Sequence, residues 1–424
     1  MKRDLYDEEH EALRASFRAW LDKEVVPHER DWDAAGIVPR EVFADAGRHG
    51  FLAFDAPEAH GGGGTKDFRF NAVITEELQS AAVAGAGLGL TLHNDICLPY
   101  FLTYGTDEQK ARYLQPLLEG ECFSCYSMTE PHAGADPTLF TTRAVKDGDE
   151  WVINGWKYFS SNARTASFLI VMAVTDPDVS AYQGMSMFLV PSDTPGVNIE
   201  RNVALYGEAM NDGSHALIHY DDVRVPADAV LGGEGQAFAI AQTRLGGGRI
   251  HHAMRTIGLA QKALDMMCER ALSRQVSGSL LAEKQFVQGF IADSYAQLVQ
   301  FRLFVLYTAW EIDKYNDYRR VRKDIATAKI VMPDVLRDIA WRAMQVHGAL
   351  GTTNEMPFFN MIHGGAVMGL ADGPTEVHKV TVARQVLRNY KATDGMWPTE
   401  WIPGKLEAAQ QKYADLLELE VGNL

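Results

Sequence analysis

Apolar residues recur three and four apart through "EEHEALRASFRAWLDKEVV" (residues 8–26) and "TDEQKARYLQPLLEG" (106–120), the spacing of one helix face. Thr106 and Asp107 give the second stretch an N-terminal cap signature. Residues 1–119 therefore predict a helical domain, interrupted at "HGGGGTKD" (60–67), which reads as a flexible connection because no Gly-Lys-Ser/Thr follows to make a phosphate loop. From Gly120 the pattern shortens to alternating or short apolar runs: "FSCYSM", "TTRAVKDGDEWVINGWKYFSS", "SFLIVMAV", "MSMFLVP", "VNIERNV" and "HALIHYDDVRVP". Turn formers separate them, so 120–235 predicts a compact antiparallel sheet or barrel. After "LGGEGQAF" helical spacing returns over 236–274, 283–314, 323–347 and 374–391, a bundle spanning 236–392. The extension 393–424 ends in one more helical pattern, with Leu406, Ala409, Tyr413, Leu416 and Leu417 on a face expected to dock on the body or a neighbour. The order is helical, then β, then helical: an α+β chain.

Composition narrows the function classes. The 424 residues carry 40 Lys plus Arg against 56 Asp plus Glu, a net charge of −16. Such a chain is a poor partner for nucleic acid or an anionic membrane through bulk charge, although a few local arginines can still hold an anionic small molecule. No run of about 18 apolar residues occurs and the charged N-terminus has no signal core, which predicts a cytoplasmic protein without a membrane span. Cys97, Cys122, Cys125 and Cys268 make no disulfide framework in a chain this long. Cys122 and Cys125 form a C-x-x-C inside a strand pattern, with no second pair at zinc spacing, so no metal site is expected.

The chemistry-bearing segments are "CYSMTEPHAGAD" (125–136), "WVINGWKYFSSNA" (151–163), "VHGALG" (346–351) and "ADGPTEVH" (371–378). A hydroxyl, a proline and small residues at the end of a strand let backbone amides approach a planar ligand, though any tight turn uses the same residues. In this order and on this plan, the four segments resemble the acyl-CoA dehydrogenase family of flavoenzymes over roughly residues 5–392. "GGGRIHHAMRTIGLAQKAL" and "ADGPTEVH" look most like the branch that animals carry fused to a phosphotransferase-like domain, a domain this chain is not expected to carry.

The resemblance implies FAD. Tyr126, Met128 and Thr129 would line the flavin, with Ala135 standing where the family usually has Ser, in contact with cofactor or substrate. Phe159, Ser160 and Ser161 replace the usual Trp–Ile–Thr beside the ring. "RALSRQVSGSLLAEKQ" matches the segment that reaches the flavin nucleotide across a subunit boundary, giving Arg274 to the phosphates and Gln285 to the nucleotide, completed by Gln345, Gly348 and Ala349. Pro374 and Glu376 would lie against the cofactor too. The bland reading of Arg274 is a solvated helix face. A shared site of this kind implies a homodimer or homotetramer. An electron-transfer flavoprotein or similar acceptor would take the electrons.

Asp372 occupies the position where most of the family carries Glu as the base that removes the α-proton of an acyl-CoA thioester. Asp reaches about 1.5 Å less. Some relatives place the base on an earlier helix, but Gly246, Gly247 and Gly248 fill that segment here. Asp before Gly-Pro-Thr is also a sound helix cap, so base and cap are both open. Arg249 and Gly373 would contact substrate. His251 and His252, adjacent on a helix, point about 100° apart and read as packing residues rather than metal ligands. The implied activity is α,β-dehydrogenation of an acyl-CoA. The rivals are a nitroalkane-oxidase-like enzyme with the same Asp base, disfavoured by Lys379 where an Arg is expected, and a non-catalytic flavin-binding relative.

Overall fold

The computed structural model describes residues 5–81, 89–205 and 213–421. The chain divides into two compact units, Met1–Lys379 and Val380–Leu424.

The first unit opens with helices: α1 (Glu8–Trp20), α2 (Glu29–Ala35), α3 (Arg40–Arg48), α4 (Arg69–Ala81), α5 (Leu98–Tyr104) and α6 (Asp107–Leu118). α1 continues through a π-helical turn, Leu21–Val25, so the periodic stretch is helical but changes pitch. Phe17, Leu21 and Val25 lie in one core with Phe43, Leu78 and Phe101. Arg14 and Arg18 of α1 both donate to the buried Glu77 of α4. A second π-turn, His93–Cys97, leads directly into α5 and is buried throughout. Thr106 caps α6: its hydroxyl accepts from the Gln109 N–H at 3.2 Å while Gln109 accepts from the Thr106 N–H at 3.1 Å. The glycine run is a packed turn rather than a loose connection. A Cβ on Gly62 would lie 2.3 Å from the Ala56 carbonyl oxygen, a separation only glycine allows.

Among the described residues, seven strands form one sheet: β1 (Ser124–Ser127), β2 (Arg143–Asp147), β3 (Glu150–Ser161), β4 (Phe168–Val174), β5 (Met185–Pro191), β6 (Val197–Asn202) and β7 (His215–Pro226). The spatial order is β1-β4-β2-β3-β7-β6, with β5 also on β4. The β2–β3, β3–β7, β4–β5 and β6–β7 pairings are antiparallel, as the sequence predicts. β1, however, runs parallel to β4, and β2 meets β4 in parallel at Arg143 and Val174, so the sheet is mixed. The long excursion from Met128 to Ser167 supplies the crossover that a parallel pair needs. β4 is buried on both faces, which is why it reads as an unbroken apolar run rather than an alternation.

Helices then return: α7 (Ala237–Ser273), α8 (Gln285–Tyr315), α9 (Arg322–His347), α10 (Phe358–Met368) and α11 (Thr375–Leu387). Met254, Ile257, Leu298, Val305, Leu336 and Ile339 share their core. A two-residue hairpin, β8 (Gln275–Val276) with β9 (Ser279–Leu280), joins α7 to α8. Its turn carries Ser277 at φ +51°. No described helix is long and apolar enough to cross a membrane.

In the second unit the predicted terminal helix is two, α12 (Ile402–Lys412) and α13 (Ala414–Val421), broken at Tyr413. Leu406, Tyr413 and Leu416 are exposed, and without burial of an apolar face a short pattern does not hold one continuous ladder. The Leu417 side chain lies outside the described residues.

Candidate active site

The turn after β1 and the end of β3 are built as one piece. The Tyr158 N–H donates to the Thr129 carbonyl at 2.7 Å, and the buried Lys157 ammonium donates to the Met128 carbonyl at 2.8 Å. Tyr126 stacks on Tyr100, with ring centroids 5.5 Å apart, and donates its hydroxyl to the Met128 sulfur. The β3–β7 register shifts between Lys157 and Ser160. That irregularity puts Phe159 at φ +57° and turns its ring outward, 44% exposed. A bulky residue in the left-handed region marks a constrained position.

The result is a half-buried shelf of Tyr126, Met128 and Thr129 beside an outward aromatic ring. Among the described residues the Thr129 hydroxyl has no protein partner, leaving it a donor and acceptor for a ligand. Ser161 is engaged by His215, Oγ to Nδ1 at 2.8 Å. The Ser160 side chain is fully buried, its hydroxyl 2.9 Å from that of Ser127, which leaves its backbone as the part that could meet a ligand. Ala135 sits exposed in the turn.

Asp372 lies between α10 and α11. α11 starts at Thr375, and the first helical N–H groups return to the Pro374 carbonyl, so Pro374 and not Asp372 holds the cap position. Asp372 is at φ +55° and Gly373 at φ +105°. A Cβ on Gly373 would lie 3.1 Å from the His378 ring, so glycine is needed there for conformation and for room. The Asp372 carboxylate lies 3.3 Å from Nε2 of the buried His252 on α7. One turn earlier on α7, Arg249 donates Nε to the Asp372 carbonyl at 3.0 Å. From α9 the buried Lys329 donates to the carbonyls of Met368 and Ala371. Burial lowers Lys329 to about 8, against the pull of Asp372. Burial, with Arg249 and Lys329 nearby, lowers His378 to about 4.

The structure thus brings Arg249, Asp372, Gly373 and Pro374 together, and Tyr126, Met128 and Thr129 with Phe159 and Ser161. Arg274, Gln285, Gln345, Gly348 and Ala349 are elsewhere, exposed at the end of α7, the start of α8 and the end of α9. Glu376 is exposed on α11. Cys122 and Cys125 are buried and free, with burial raising both thiols, and no metal-ligand cluster occurs among the described residues.

Family models for the acyl-CoA dehydrogenase N-terminal, middle and C-terminal domains match residues 7–121, 125–223 and 235–387. The probable acyl-CoA dehydrogenase FadE2 of Mycobacterium tuberculosis is 44% identical over 68% of this chain and 72% of its own. The chain belongs to the acyl-CoA dehydrogenase family. Acyl-CoA dehydrogenase family member 11 of Gallus gallus is 42% identical over 66% of this chain, a match that spans only 37% of that longer protein. The crystal structure of an acyl-CoA dehydrogenase from Geobacillus kaustophilus is similar at TM-score 0.84 and 33% identity, covering 90% of this chain and 98% of that one.

In this family member the segment Gly246–Gly247 has little room for a side chain. A Cβ on Gly246 would lie 2.3 Å from the Tyr318 ring, and one on Gly247 would lie 3.3 Å from the Tyr318 hydroxyl. His252, Lys329 and Tyr318 were not legible as site residues. A lysine in an amphipathic pattern reads as surface, and two adjacent histidines read as packing. Only their contacts distinguish them: Lys329 with main-chain carbonyls, His252 with Asp372 and Tyr318 with Gly246.

Proposed function

We propose that this chain catalyses FAD-dependent α,β-dehydrogenation of an acyl-CoA thioester, giving a trans-2-enoyl-CoA, with Asp372 as the base. The observation that supports it most is the construction around Asp372: a carboxylate on a left-handed backbone, contacted by side chains of α7, next to the Ala371 carbonyl that Lys329 of α9 binds, and displaced from the helix-cap position. Tyr126, Met128, Thr129 and the Phe159 ring would hold the flavin. Their half-buried surface and the ligand-ready Thr129 hydroxyl fit a planar, hydrogen-bonding group. Arg274, Gln285, Gln345, Gly348 and Ala349 would hold the nucleotide end on a second copy of the chain.

FAD, when bound, supplies the two-electron acceptor for the substrate's β-hydrogen. Asp372 takes the α-proton as the α C–H bond breaks. The Gly373 backbone is the nearest main chain to stabilise the thioester oxygen as negative charge develops. Arg249, expected to touch substrate, also donates to the Asp372 carbonyl and so would hold the backbone of the base. An electron-transfer flavoprotein or similar acceptor completes turnover.

Asp372→Asn tests the reading, because Asn matches the size but accepts no proton. The variant should bind FAD and acyl-CoA yet reduce flavin about 10²–10⁴-fold more slowly under anaerobic stopped flow. Reduction within about threefold of wild type would place the base elsewhere.

A further inference from the structure

His252 is a buried imidazole against the proposed base, and none of the chemistry above uses it. It is 8% exposed, with Nε2 3.3 Å from Asp372 Oδ2. The charged and titratable groups around it come from several elements. On its own helix are Arg249 and His251, the two histidine rings 5.4 Å apart. His251 in turn has Nδ1 2.8 Å from Oδ2 of Asp95, in the buried π-turn before α5. Lys329 comes from α9 and His378 from α11.

Burial, with smaller contributions from Lys329 and His251, lowers the His252 imidazole to about 3 even though Asp372 pulls it upward. It is therefore neutral at neutral pH and too weak a base to take a thioester α-proton in place of Asp372. A neutral imidazole carries one N–H, and an ionised carboxylate only accepts. The tautomer that suits the contact has its proton on Nε2. The second torsion of an Asp side chain is intrinsically broad and roughly two-fold, so a carboxylate on a short stem needs an external contact to hold its plane.

We propose that His252 is a positioning residue for the reaction: its Nε2 side, packed 3.3 Å from Oδ2, holds the plane of the Asp372 carboxylate that receives the proton. This rests on Asp372 being the base. Arg249 fixes the backbone of the same residue from one turn away, so α7 grips Asp372 at both main chain and side chain.

The test uses FAD-loaded enzyme with Asp372→Asn, His252→Leu and His252→Gln in parallel. Leu fills the space without an N–H, and Gln keeps an N–H at similar reach. A donor to a carboxylate favours its ionised form, so His252→Leu should move the acid limb of the pH profile for flavin reduction up by about one unit and slow the plateau about tenfold. His252→Gln should restore most of both. Independently of turnover, ¹⁵N-histidine NMR of the wild-type holoenzyme should show His252 neutral with its proton on Nε2 at neutral pH. A His252→Leu profile superimposed on wild type, beside a slow Asp372→Asn, would overturn the positioning role while leaving the base intact. So would an imidazolium signal. A fast Asp372→Asn would instead remove the base reading itself.

Discussion

Lys157 and Glu130 form an ion pair 3.0 Å apart in which neither side chain is more than 1% exposed. The Glu130 oxygens also accept from the Thr142 N–H and from the N–H and hydroxyl of Thr141. Lys157 reaches the Met128 carbonyl as well. One buried pair therefore ties the turn carrying Thr129 to both β3 and the approach to β2.

Breaking it from one side leaves a buried charge without its partner. Lys157→Met should cost about 3–5 kcal/mol by denaturant unfolding, and adding Glu130→Gln should recover much of that. Burial alone would raise Glu130, but Lys157 and the Thr141 and Thr142 donors hold it down at about 2, from an ordinary 4.5. Its folded value lies below its unfolded one, so its contribution is complete above 4.5 and is lost as pH falls toward 2. The double variant should flatten that part of the acid unfolding curve.

Lys329→Met should release the Met368 and Ala371 carbonyls, costing about 1.5–3 kcal/mol and speeding hydrogen exchange at residues 369–374. Lys329 falls from 10.5 to about 8 on folding, so between those values the unfolded chain holds a proton that the native state has shed. Native stability therefore rises with pH across that window, and the variant should lose part of the rise.

Gly246→Ala reverses a general rule. Alanine in a helix ordinarily gains up to about 1 kcal/mol over glycine. Here the new Cβ would press on the Tyr318 ring, so the change should destabilise by about 1–3 kcal/mol. Tyr318→Ala in the same chain should relieve most of the added cost, which a double-mutant cycle in thermal unfolding will read.

Leu303, Tyr307 and Trp310 form one stripe on α8, each about half exposed, with Phe286 88% exposed at the start of the helix. A contiguous apolar stripe of this size marks an interaction surface. With the nucleotide-site residues also outward, we expect a dimer or tetramer by sedimentation. Tyr307→Glu combined with Trp310→Glu should lower the sedimentation coefficient and the FAD content together. A flavin-loaded wild-type monomer at micromolar concentration would count against it.

The helix–sheet–helix order was legible because long periodic segments leave little choice: the pattern over 236–274 became a helix over Ala237–Ser273. The parallel β1–β4 pairing was not, since alternation reports which face is buried and not which distant strand lies alongside. α10 was missed because "FFNMIHGGAVM" is apolar nearly all round and has no contrasting polar stripe. At the site, Asp372 stood out by its neighbours. The direction of the Ser160 side chain was not legible, because the register shift between Lys157 and Ser160 breaks the strand alternation. Lys157 and Lys329 escaped notice because burial of a lysine is decided by partners far away in the chain.

The π-turn at His93–Cys97 has a consequence for how this chain tolerates insertions and deletions. Such a turn holds one residue more than the α-helix around it. Deleting that extra residue would restore regular pitch with the flanking helices still in phase, but a deletion in α5 itself, which has no residue to spare, would rotate everything beyond it by about 100°. Tyr100 and Phe101, both completely buried, would then swing out of the core. The exposed turn between β4 and β5 carries no such constraint, and natural length variation should collect there while the stretch beneath the base keeps its count.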